Sequence, residues 1–326
     1  MSLLYLSRQD VQQTIAMSQA IDLMRDAFRE LSAHRTVTPQ RTHLLNPDGN
    51  GHFLTMPVFA AQQGQFALKT VTVFPGNPAR NLPAIHALVM LFDGATGRPL
   101  ALMDGEWLTA LRTGAASGLA TKLLANPDAA IGAIAGAGSQ ANAQLEAVAS
   151  VRPIERFIVL NRSKDKGLAF AQKMTQRLGI PVELAPSPEA LIDADIVCTA
   201  TSADQPLFEA KHLKRGVHIN AIGGFRPSMQ EIPAETVATA TVIVDHLEGC
   251  LGEAGDLIIP IAKGLITAED IRGELGELVD RPSPLRQSRD EVTMFKSVGN
   301  AIQDLAVASF VYCRAIEMGL GTALPE

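Results

Sequence analysis

The spacing of hydrophobic residues changes several times along this chain and marks its predicted elements. Residues 18–33 carry apolar side chains at helical intervals, which predicts an amphipathic helix with Ser18 as its N-cap. The segments that follow are short and apolar, which is typical of strands joined by tight turns. They lie at 52–59, 66–74, 84–92 and 99–104, with a hairpin turn at 93–98. Together they predict an antiparallel sheet.

From residue 107 onward, helical and strand-like segments alternate. The predicted helices are 107–125, 140–150 and 164–178, and the predicted strands are 129–138, 156–161, 195–200, 217–223 and 241–245. Such alternation predicts a doubly wound parallel sheet with right-handed crossovers. A last helix is expected to begin at Asn300, with Asn300 and Gln303 placed as in a capping box, and to return to the first region.

The predicted fold class is therefore α/β: a Rossmann-type doubly wound sheet plus an antiparallel α+β domain. The change in pattern assigns residues 116–299 to the Rossmann domain. The other domain is discontinuous and comprises residues 1–115 and 300–326.

Composition narrows the functional classes. With 47% hydrophobic and 19% charged residues, the 326-residue chain has the composition of an ordinary soluble globular protein. The formal net charge of −6 argues against a nucleic-acid-binding surface, and no apolar run is long enough for a membrane span. The three cysteines form no CxxC and the seven histidines show no metal-binding spacing, so no metal is predicted. Charged residues near the N-terminus argue against a signal peptide, and we predict a cytoplasmic protein.

One segment reads GAGSQA and lies between a predicted buried strand and a predicted helix. In a dinucleotide-binding unit, Gly136 permits the tight turn and Gly138 lets the backbone approach a pyrophosphate. Ala141 permits close packing of the helix on the strand. The backbone amides at the helix start, including those of Ser139 and Gln140, would point at the phosphates. This segment therefore predicts an NAD(P)-binding domain.

The residues after the next predicted strand distinguish NAD from NADP. An NAD site usually carries a carboxylate there, which binds the ribose 2′-hydroxyl. This chain has Asn161, Arg162, Ser163 and Lys164 instead. An arginine can bind a 2′-phosphate through two hydrogen bonds, with Ser163 and Lys164 adding contacts. The predicted cofactor is NADPH, with NADH as a weaker alternative.

Three motifs together resemble the ornithine cyclodeaminase/μ-crystallin family over essentially the whole chain. They are LTALRTGAASGLAT at 108–121, the GAGSQA turn, and FKSVGNAIQD at 295–304. The resemblance implies a Rossmann domain inserted into an antiparallel domain that binds substrate and forms a homodimer through its sheet. It also implies small amino or imino acid substrates.

The resemblance further implies a set of site residues. Lys69 and Arg112 would hold the substrate carboxylate, with Arg41 as a further contact and Met56 lining the substrate pocket. A guanidinium is suited to this role, because its fork fixes a carboxylate in one orientation. The alternatives are an exposed strand lysine for Lys69 and a structural ion pair for Arg112. The family's nicotinamide-side contacts correspond to Thr113, Thr199, Ala200, Thr201, Ser202, Ser297, Val298 and Gly299.

Two positions depart from the cyclodeaminase pattern. Where cyclodeaminases carry an aspartate and a glutamate, this chain has Phe225 and Leu54. Neither side chain can carry a proton, whereas Phe225 can line the substrate site and exclude water. The pattern is closer to the family's ketimine reductase branch. It predicts NADPH-dependent reduction of Δ1-pyrroline-2-carboxylate and Δ1-piperideine-2-carboxylate to L-proline and L-pipecolate.

Several alternatives stay open. The chain could be an alanine dehydrogenase, an opine-type reductase or a non-catalytic NADPH-binding protein. It could also be a cyclodeaminase if Glu231 or Asp256 moved into the site. The proton donor, Lys69 or a water molecule, and the preferred ring size are not decided by these patterns.

Overall fold

The computed structural model describes residues 2–48, 51–281 and 285–325. The chain divides into two compact units, Met1–Arg112 with Asn300–Glu326, and Thr113–Gly299. The first boundary therefore lies after residue 112 rather than after residue 115.

Within the described ranges, the strands are β1 (Leu3–Leu6), β2 (Thr36–Val37), β3 (Thr42–Leu45), β4 (His52–Ala60), β5 (Gln65–Val73), β6 (Ile85–Asp93), β7 (Pro99–Asp104), β8 (Ile131–Ala135), β9 (Arg156–Leu160), β10 (Val182–Leu184), β11 (Ile196–Thr199), β12 (His218–Ala221), β13 (Thr241–Val244), β14 (Thr293–Lys296) and β15 (Thr322–Leu324). The α-helices are α1 (Arg8–Thr14), α2 (Met17–Ser32), α3 (Gly105–Leu124), α4 (Ser139–Val151), α5 (Lys164–Leu178), α6 (Ala234–Thr239), α7 (Leu247–Glu253), α8 (Gly255–Ala262), α9 (Leu275–Leu278) and α10 (Ala301–Met318). No helix of these ranges combines the length and the apolar character needed to cross a membrane.

The first unit contains a sheet with strand order β15-β1-β7-β6-β5-β4-β2, and β3 pairs with β4. The pairs along β4, β5, β6 and β7 are antiparallel, whereas β1 and β7 are parallel. The predicted antiparallel meander is thus confirmed. The sequence pattern missed β1, β2, β3 and β15, because segments of two to four residues are too short to establish a period.

Side chains of β4, β5 and β6 alternate between two faces of this sheet. One face is buried and carries Met56, Lys69 and Val89, and α10 packs against these three strands. The other face carries large apolar side chains such as Phe66 and Leu88, each 44% exposed. A lysine therefore occupies a core position of this unit.

The predicted N-cap of the second helix is wrong. Helix α2 begins before Ser18 because Met17 and Ile21, one helical turn apart, are both buried. The cap residue is Ala16, whose backbone N–H donates to the side-chain oxygen of Gln19 at 3.0 Å.

Half of the predicted cap of α10 is confirmed. The Asn300 side chain accepts a hydrogen bond of 3.0 Å from the Ile302 N–H. The predicted capping box with Gln303 is wrong, because the Gln303 side-chain oxygen accepts from Arg112 instead.

The second unit contains a parallel sheet in the order β10-β9-β8-β11-β12-β14-β13, which confirms the doubly wound prediction. The strand order reverses between β8 and β11, which makes the carboxyl ends of these two strands the switch point where such sheets bind ligands. The sequence pattern missed β10 and β14. The sequence of β14 is TMFK. A lysine at its end is untypical of a strand that lies between two others in a buried parallel sheet.

Candidate cofactor and substrate sites

The turn between β8 and α4 has the geometry that a dinucleotide site requires. Gly136 adopts φ +108°, and a Cβ at this residue would lie 2.7 Å from the carbonyl oxygen of Ala200. Any other residue would therefore be strained here. Gly138 is exposed, and a Cβ built on it would have no heavy atom within 4 Å. Ala141 is completely buried beneath the helix start.

This turn fits a pyrophosphate. Gly138 is the N-cap of α4 and provides no side-chain acceptor for the first amides of the helix. Those amides, which include the N–H groups of Ser139 and Gln140, lie at the positive end of the helix dipole. An anion approaching the exposed Gly138 meets backbone donors rather than side chains.

The residues after β9 present positive charge to solvent. Arg162, Ser163 and Lys164 are exposed and Asn161 is half-buried. The Asn161 side chain donates to the Ser163 carbonyl at 2.7 Å, and the Ser163 hydroxyl caps α5. In the described part of the chain, no carboxylate forms an ion pair with Arg162 or Lys164. Both cations are therefore available to an anionic ligand.

A buried carboxylate, Glu231, joins the segments that follow β11 and β12. Its Oε1 accepts from the backbone N–H and the hydroxyl of Thr201, both at 2.7 Å. Its Oε2 accepts from the Thr199 hydroxyl at 2.8 Å and from the Gly223 N–H at 2.9 Å. Burial raises the pKa of Glu231 above its ordinary value. The hydroxyls of Thr199 and Thr201 thus point at Glu231, while Ala200 is half-buried and Ser202 is exposed.

Asp256 and Lys296 fix the position of the Glu231 backbone and of the neighbouring Gly224. Asp256 Oδ1 accepts from the backbone N–H groups of Glu231 and Ile232 at 2.7 and 3.0 Å. Lys296 Nζ lies 2.8 Å from Asp256 Oδ2 and donates to the Gly224 carbonyl at 2.7 Å. Both carboxylates have 0% exposure and fixed partners. In this structure neither acid is placed to act as the mobile group that a cyclodeaminase would need.

Phe225 follows directly after this network. Its ring is half-buried, and the Arg226 guanidinium carbon lies 5.8 Å from the ring centroid. The segment after β12 therefore presents an aromatic ring beside an exposed cation.

A further buried carboxylate, Asp245, holds the loop after β14. Its Oδ2 accepts from the Ser297 hydroxyl at 2.6 Å, and from the N–H groups of Val298 and Gly299 at 3.1 and 2.7 Å. The Ser297 hydroxyl is thus bonded to protein. Burial, reinforced by Asp245, raises the pKa of the neighbouring Cys250 thiol well above its ordinary value. Cys250 is therefore a neutral core residue.

In the first unit, Lys69 and Arg112 share one carboxylate. Lys69 Nζ lies 2.8 Å from Asp304 Oδ2, and Arg112 Nε lies 3.2 Å from Asp304 Oδ1. Arg112 Nη1 also donates to the Gln303 side-chain oxygen. The structure thus brings the two predicted carboxylate-binding residues together, from β5 and α3, around the first turn of α10. Thr113, the next residue of α3, is also buried.

The alternative of an exposed strand lysine is wrong, because Lys69 is only 2% exposed. Burial, with the charge of Arg112, lowers the pKa of Lys69 to about 7, although Asp304 opposes the shift. Arg41, half-buried before β3, lowers this pKa further. Met56 is the direct cross-strand neighbour of Lys69 and is buried with it.

Sequence reasoning missed Gln303, Asp304 and Asp245 as members of these clusters, and considered Glu231 only as a mobile acid. A signal exists for two of them. Asp304 interrupts an otherwise apolar helical segment, and Asp245 ends an apolar strand, positions where an unpaired carboxylate would be costly. Their partners, however, lie far away in the sequence.

Comparison with known proteins gives a consistent result over the whole chain. The family model described as "Ornithine cyclodeaminase/mu-crystallin family" matches residues 2–319. A Δ1-pyrroline-2-carboxylate reductase of Bacillus cereus is 43% identical over 321 residues, covering 98% of each chain.

Two solved structures are also similar. One is Thermococcus litoralis Δ1-pyrroline-2-carboxylate reductase in complex with NADH and L-proline, with a TM-score of 0.95 and 40% identity, covering 99% of this chain and 100% of that one. The other is an archaeal alanine dehydrogenase dimer with bound NAD, with a TM-score of 0.92 and 34% identity, covering 100% of this chain and 99% of that one.

Proposed function

We propose that this chain, which belongs to the ornithine cyclodeaminase/μ-crystallin family, reduces cyclic ketimines with NADPH. Its substrates would be Δ1-pyrroline-2-carboxylate and Δ1-piperideine-2-carboxylate, and its products L-proline and L-pipecolate. The chain is an NAD(P)H-dependent oxidoreductase acting on a C=N bond, the reaction class of its 43% identical relative. The observation that carries the substrate assignment is the pair of buried cations on one carboxylate, Lys69 and Arg112 on Asp304.

These three groups suit a carboxylate ligand. With Lys69 protonated, two cations face one anion, so the cluster carries an excess positive charge in a buried environment. A substrate carboxylate compensates this charge, and the planar guanidinium of Arg112 fixes its orientation. Asp304 and Gln303 hold Arg112 in place before substrate binds. The ketimine carbon is attached to that carboxylate and is therefore oriented with it.

The second unit supplies the cofactor site in this proposal. Bound NADPH supplies a hydride from C4 of its nicotinamide. The turn from Gly136 to Ala141 would bind the pyrophosphate, and Arg162, with Ser163 and Lys164, the 2′-phosphate. Residues 161–164, which follow β9, include no carboxylate, and this supports NADPH over NADH. The backbone of residues 199–202 and 297–299 would face the nicotinamide.

Leu54 and Phe225 set the chemistry apart from deamination. Hydride addition to the carbon of a protonated C=N bond yields a secondary amine directly. The only proton required is the one on the ring nitrogen, which Lys69 or a water molecule can supply. The half-buried ring of Phe225 adds no acid, which suits reduction and not the repeated proton transfers of cyclodeamination.

A homodimer is part of the proposal. The exposed face of β4, β5 and β6 carries several large apolar side chains, including Phe53, Phe66 and Leu88. A contiguous group of this kind, unlike a single exposed apolar residue, marks an interaction surface. The alanine dehydrogenase that resembles this chain is a dimer with bound NAD.

A second candidate is alanine dehydrogenation, favoured by the 34% identity to that enzyme. Lys69 and Arg112 would hold the carboxylate of an open-chain imino acid equally well. Leu54, however, is an apolar residue on the buried face of β4, which favours a hydrocarbon ring.

Initial rates of NADPH oxidation test the proposal. The purified protein would be given the five-membered ketimine, the six-membered ketimine, or pyruvate with ammonia. We expect the ring ketimines to exceed pyruvate by at least roughly 10²-fold in kcat/KM, because the open-chain imine is scarce in water and unrestrained. Ammonia release from L-ornithine with NADP+ should be negligible by comparison.

Each other outcome identifies a rival. Faster turnover of pyruvate with ammonia would indicate the dehydrogenase, and ornithine deamination at a similar rate would indicate a cyclodeaminase. Tight NADPH binding without turnover of any substrate would indicate a binding protein. Any of these results would contradict the ketimine reductase assignment.

A further inference from the structure

The reversal of strand order at β8 divides the carboxyl edge of the parallel sheet into two halves. On one side lie β9 and β10, with Arg162 after β9, and on the other lie β11, β12, β14 and β13. A dinucleotide bound at such a switch point places its adenosine half over the first side and its nicotinamide half over the second. The segments after β11 and β12 therefore belong to the nicotinamide half.

Glu231 links these two segments through their backbones. One carboxylate oxygen accepts the N–H of Thr201, which follows β11, and the other accepts the N–H of Gly223, which follows β12. The two segments are also in close contact, because a Cβ on Gly223 would lie 2.4 Å from the Thr201 carbonyl oxygen. The carboxylate thus acts as a bracket whose two oxygens hold two loops at a fixed separation.

The bracket is itself held rigidly. Asp256 accepts the backbone N–H groups of Glu231 and Ile232, and Lys296 connects Asp256 to the carbonyl of Gly224. All three charged side chains are fully buried. Burying a carboxylate that lacks an ion pair of its own is costly, and Glu231 forms none within the described residues. An apolar residue could fill the same space, so the hydrogen bonds that Glu231 accepts point to a requirement on loop position rather than on packing alone.

We propose that Glu231 is a positioning residue for hydride transfer, which fixes the backbone of residues 199–202 and 223–224 against the nicotinamide. The proposal rests on the cofactor assignment above. It assigns Glu231 no contact with the reacting atoms and no proton transfer.

Substitution by glutamine gives a sharp test, because glutamine has nearly the same shape but only one acceptor oxygen. The two backbone N–H groups approach different oxygens, so either orientation of the amide turns an NH2 group toward one of them. Glu231→Gln therefore loosens one loop without leaving a cavity. Glu235→Gln on α6 is the matched control, because Glu235 is exposed and loses the same charge.

The experiment compares two ligands on the full-length protein. Affinities are measured for NADPH and for 2′-phospho-ADP-ribose, which keeps the adenosine half and the pyrophosphate but lacks nicotinamide. For Glu231→Gln we expect the affinity for 2′-phospho-ADP-ribose to stay within ~2-fold of wild type, and kcat with the ketimine to fall by roughly 10 to 10²-fold. A larger kinetic isotope effect from 4-deuterated NADPH should accompany this loss, because misplacement slows the hydride step itself. Glu235→Gln should match wild type in both affinities, in kcat and in the isotope effect.

Two results would overturn the inference. Equal weakening of both ligands would show that Glu231 only stabilises the unit, and wild-type turnover with an unchanged isotope effect would show that loop position does not depend on it. Should Glu231→Gln fail to fold, Glu231→Asp is the second variant, since it keeps two acceptors but shortens their reach. The same loss of kcat with an unchanged affinity for 2′-phospho-ADP-ribose is expected. A wild-type protein that does not reduce ketimines would refute the proposed function, whereas a selective loss of NADPH affinity in Glu231→Gln would still support the inference.

Discussion

At the scale of single residues, Lys69 shows how a buried strand position can carry a titratable group. It follows the alternation that places Met56 and Val89 in the core, yet it carries a charge. Burial and the charge of Arg112 destabilise its ammonium form, and Asp304 offsets part of this effect. The pKa of Lys69 therefore falls to about 7. Its neighbours therefore make Lys69 change its charge state at physiological pH.

This environment predicts a pH dependence. If the ammonium form binds the substrate carboxylate, binding requires the protonated state, which is lost as pH rises through about 7 in the free enzyme. We expect kcat/KM, and the affinity for a carboxylate inhibitor that does not itself titrate near neutrality, to fall above that pH. Measuring the inhibitor separates Lys69 from the ionisation of the ketimine.

Lys69→Arg supplies the comparison, because a guanidinium stays charged throughout this range. The decline of inhibitor affinity should move to higher pH in this variant. Identical pH profiles for wild type and Lys69→Arg would show that another group titrates.

At the scale of elements, the junction of β9 and α5 combines two tasks in four residues. Ser163 caps the helix, which fixes the start of α5, and the exposed side chains of Arg162 and Lys164 flank it. A cap and an anion site coincide because both use the positive end of a helix.

Arg162→Asp should weaken NADPH selectively. A charge-assisted contact to the 2′-phosphate typically contributes ~1.5–3 kcal/mol, so kcat/KM for NADPH should fall by roughly 10 to 10²-fold while that for NADH changes little. Lys173 is exposed on α5, and Lys173→Asp changes the charge by the same amount. This control should leave the ratio of kcat/KM for NADPH to kcat/KM for NADH unaltered. The measurement is steady-state kinetics with each cofactor. Equal kcat/KM for NADH and NADPH in the wild-type protein would refute this assignment of residues 161–164.

Helix α10 shows an element whose sequence allows two interpretations. The spacing of Asn300 and Gln303 fits a capping box, and Asn300 does cap the helix. Gln303 and Asp304 instead face Arg112, a residue 191 and 192 positions away in the chain. A local pattern cannot reveal a partner at that distance.

At the scale of the whole molecule, the outer face of β4, β5 and β6 predicts self-association. Phe66 and Leu88 are each 44% exposed on adjacent strands, and Phe66 contacts Phe59 with ring centroids 4.6 Å apart. A continuous apolar face of this kind is typical of a subunit interface.

The double variant Phe66→Asp with Leu88→Asp should therefore shift a dimeric wild type to monomer, because buried charges without partners oppose association. Molar mass by light scattering after size exclusion measures the change. Leu168→Asp, an exposed apolar residue on α5 that is 48% exposed, is the control and should not alter the mass. A monomeric wild type, or a double variant of unchanged mass, would contradict the proposal that this face forms the dimer.

The sequence by itself determined the elements and the cofactor motif. The periods of apolar residues marked the main strands and helices, and GAGSQA marked the turn after β8, because these features depend on residues adjacent in the chain. Tertiary structure alone decided the rest. It placed β14 inside the parallel sheet and paired Lys69 and Arg112 with Asp304. It also placed Glu231 and Asp256 in a buried hydrogen-bond network, whereas the sequence alone is equally compatible with two mobile acids. The physical reason is that the cost of burying a charge depends on the partners that folding brings to it, and those partners come from distant parts of the chain.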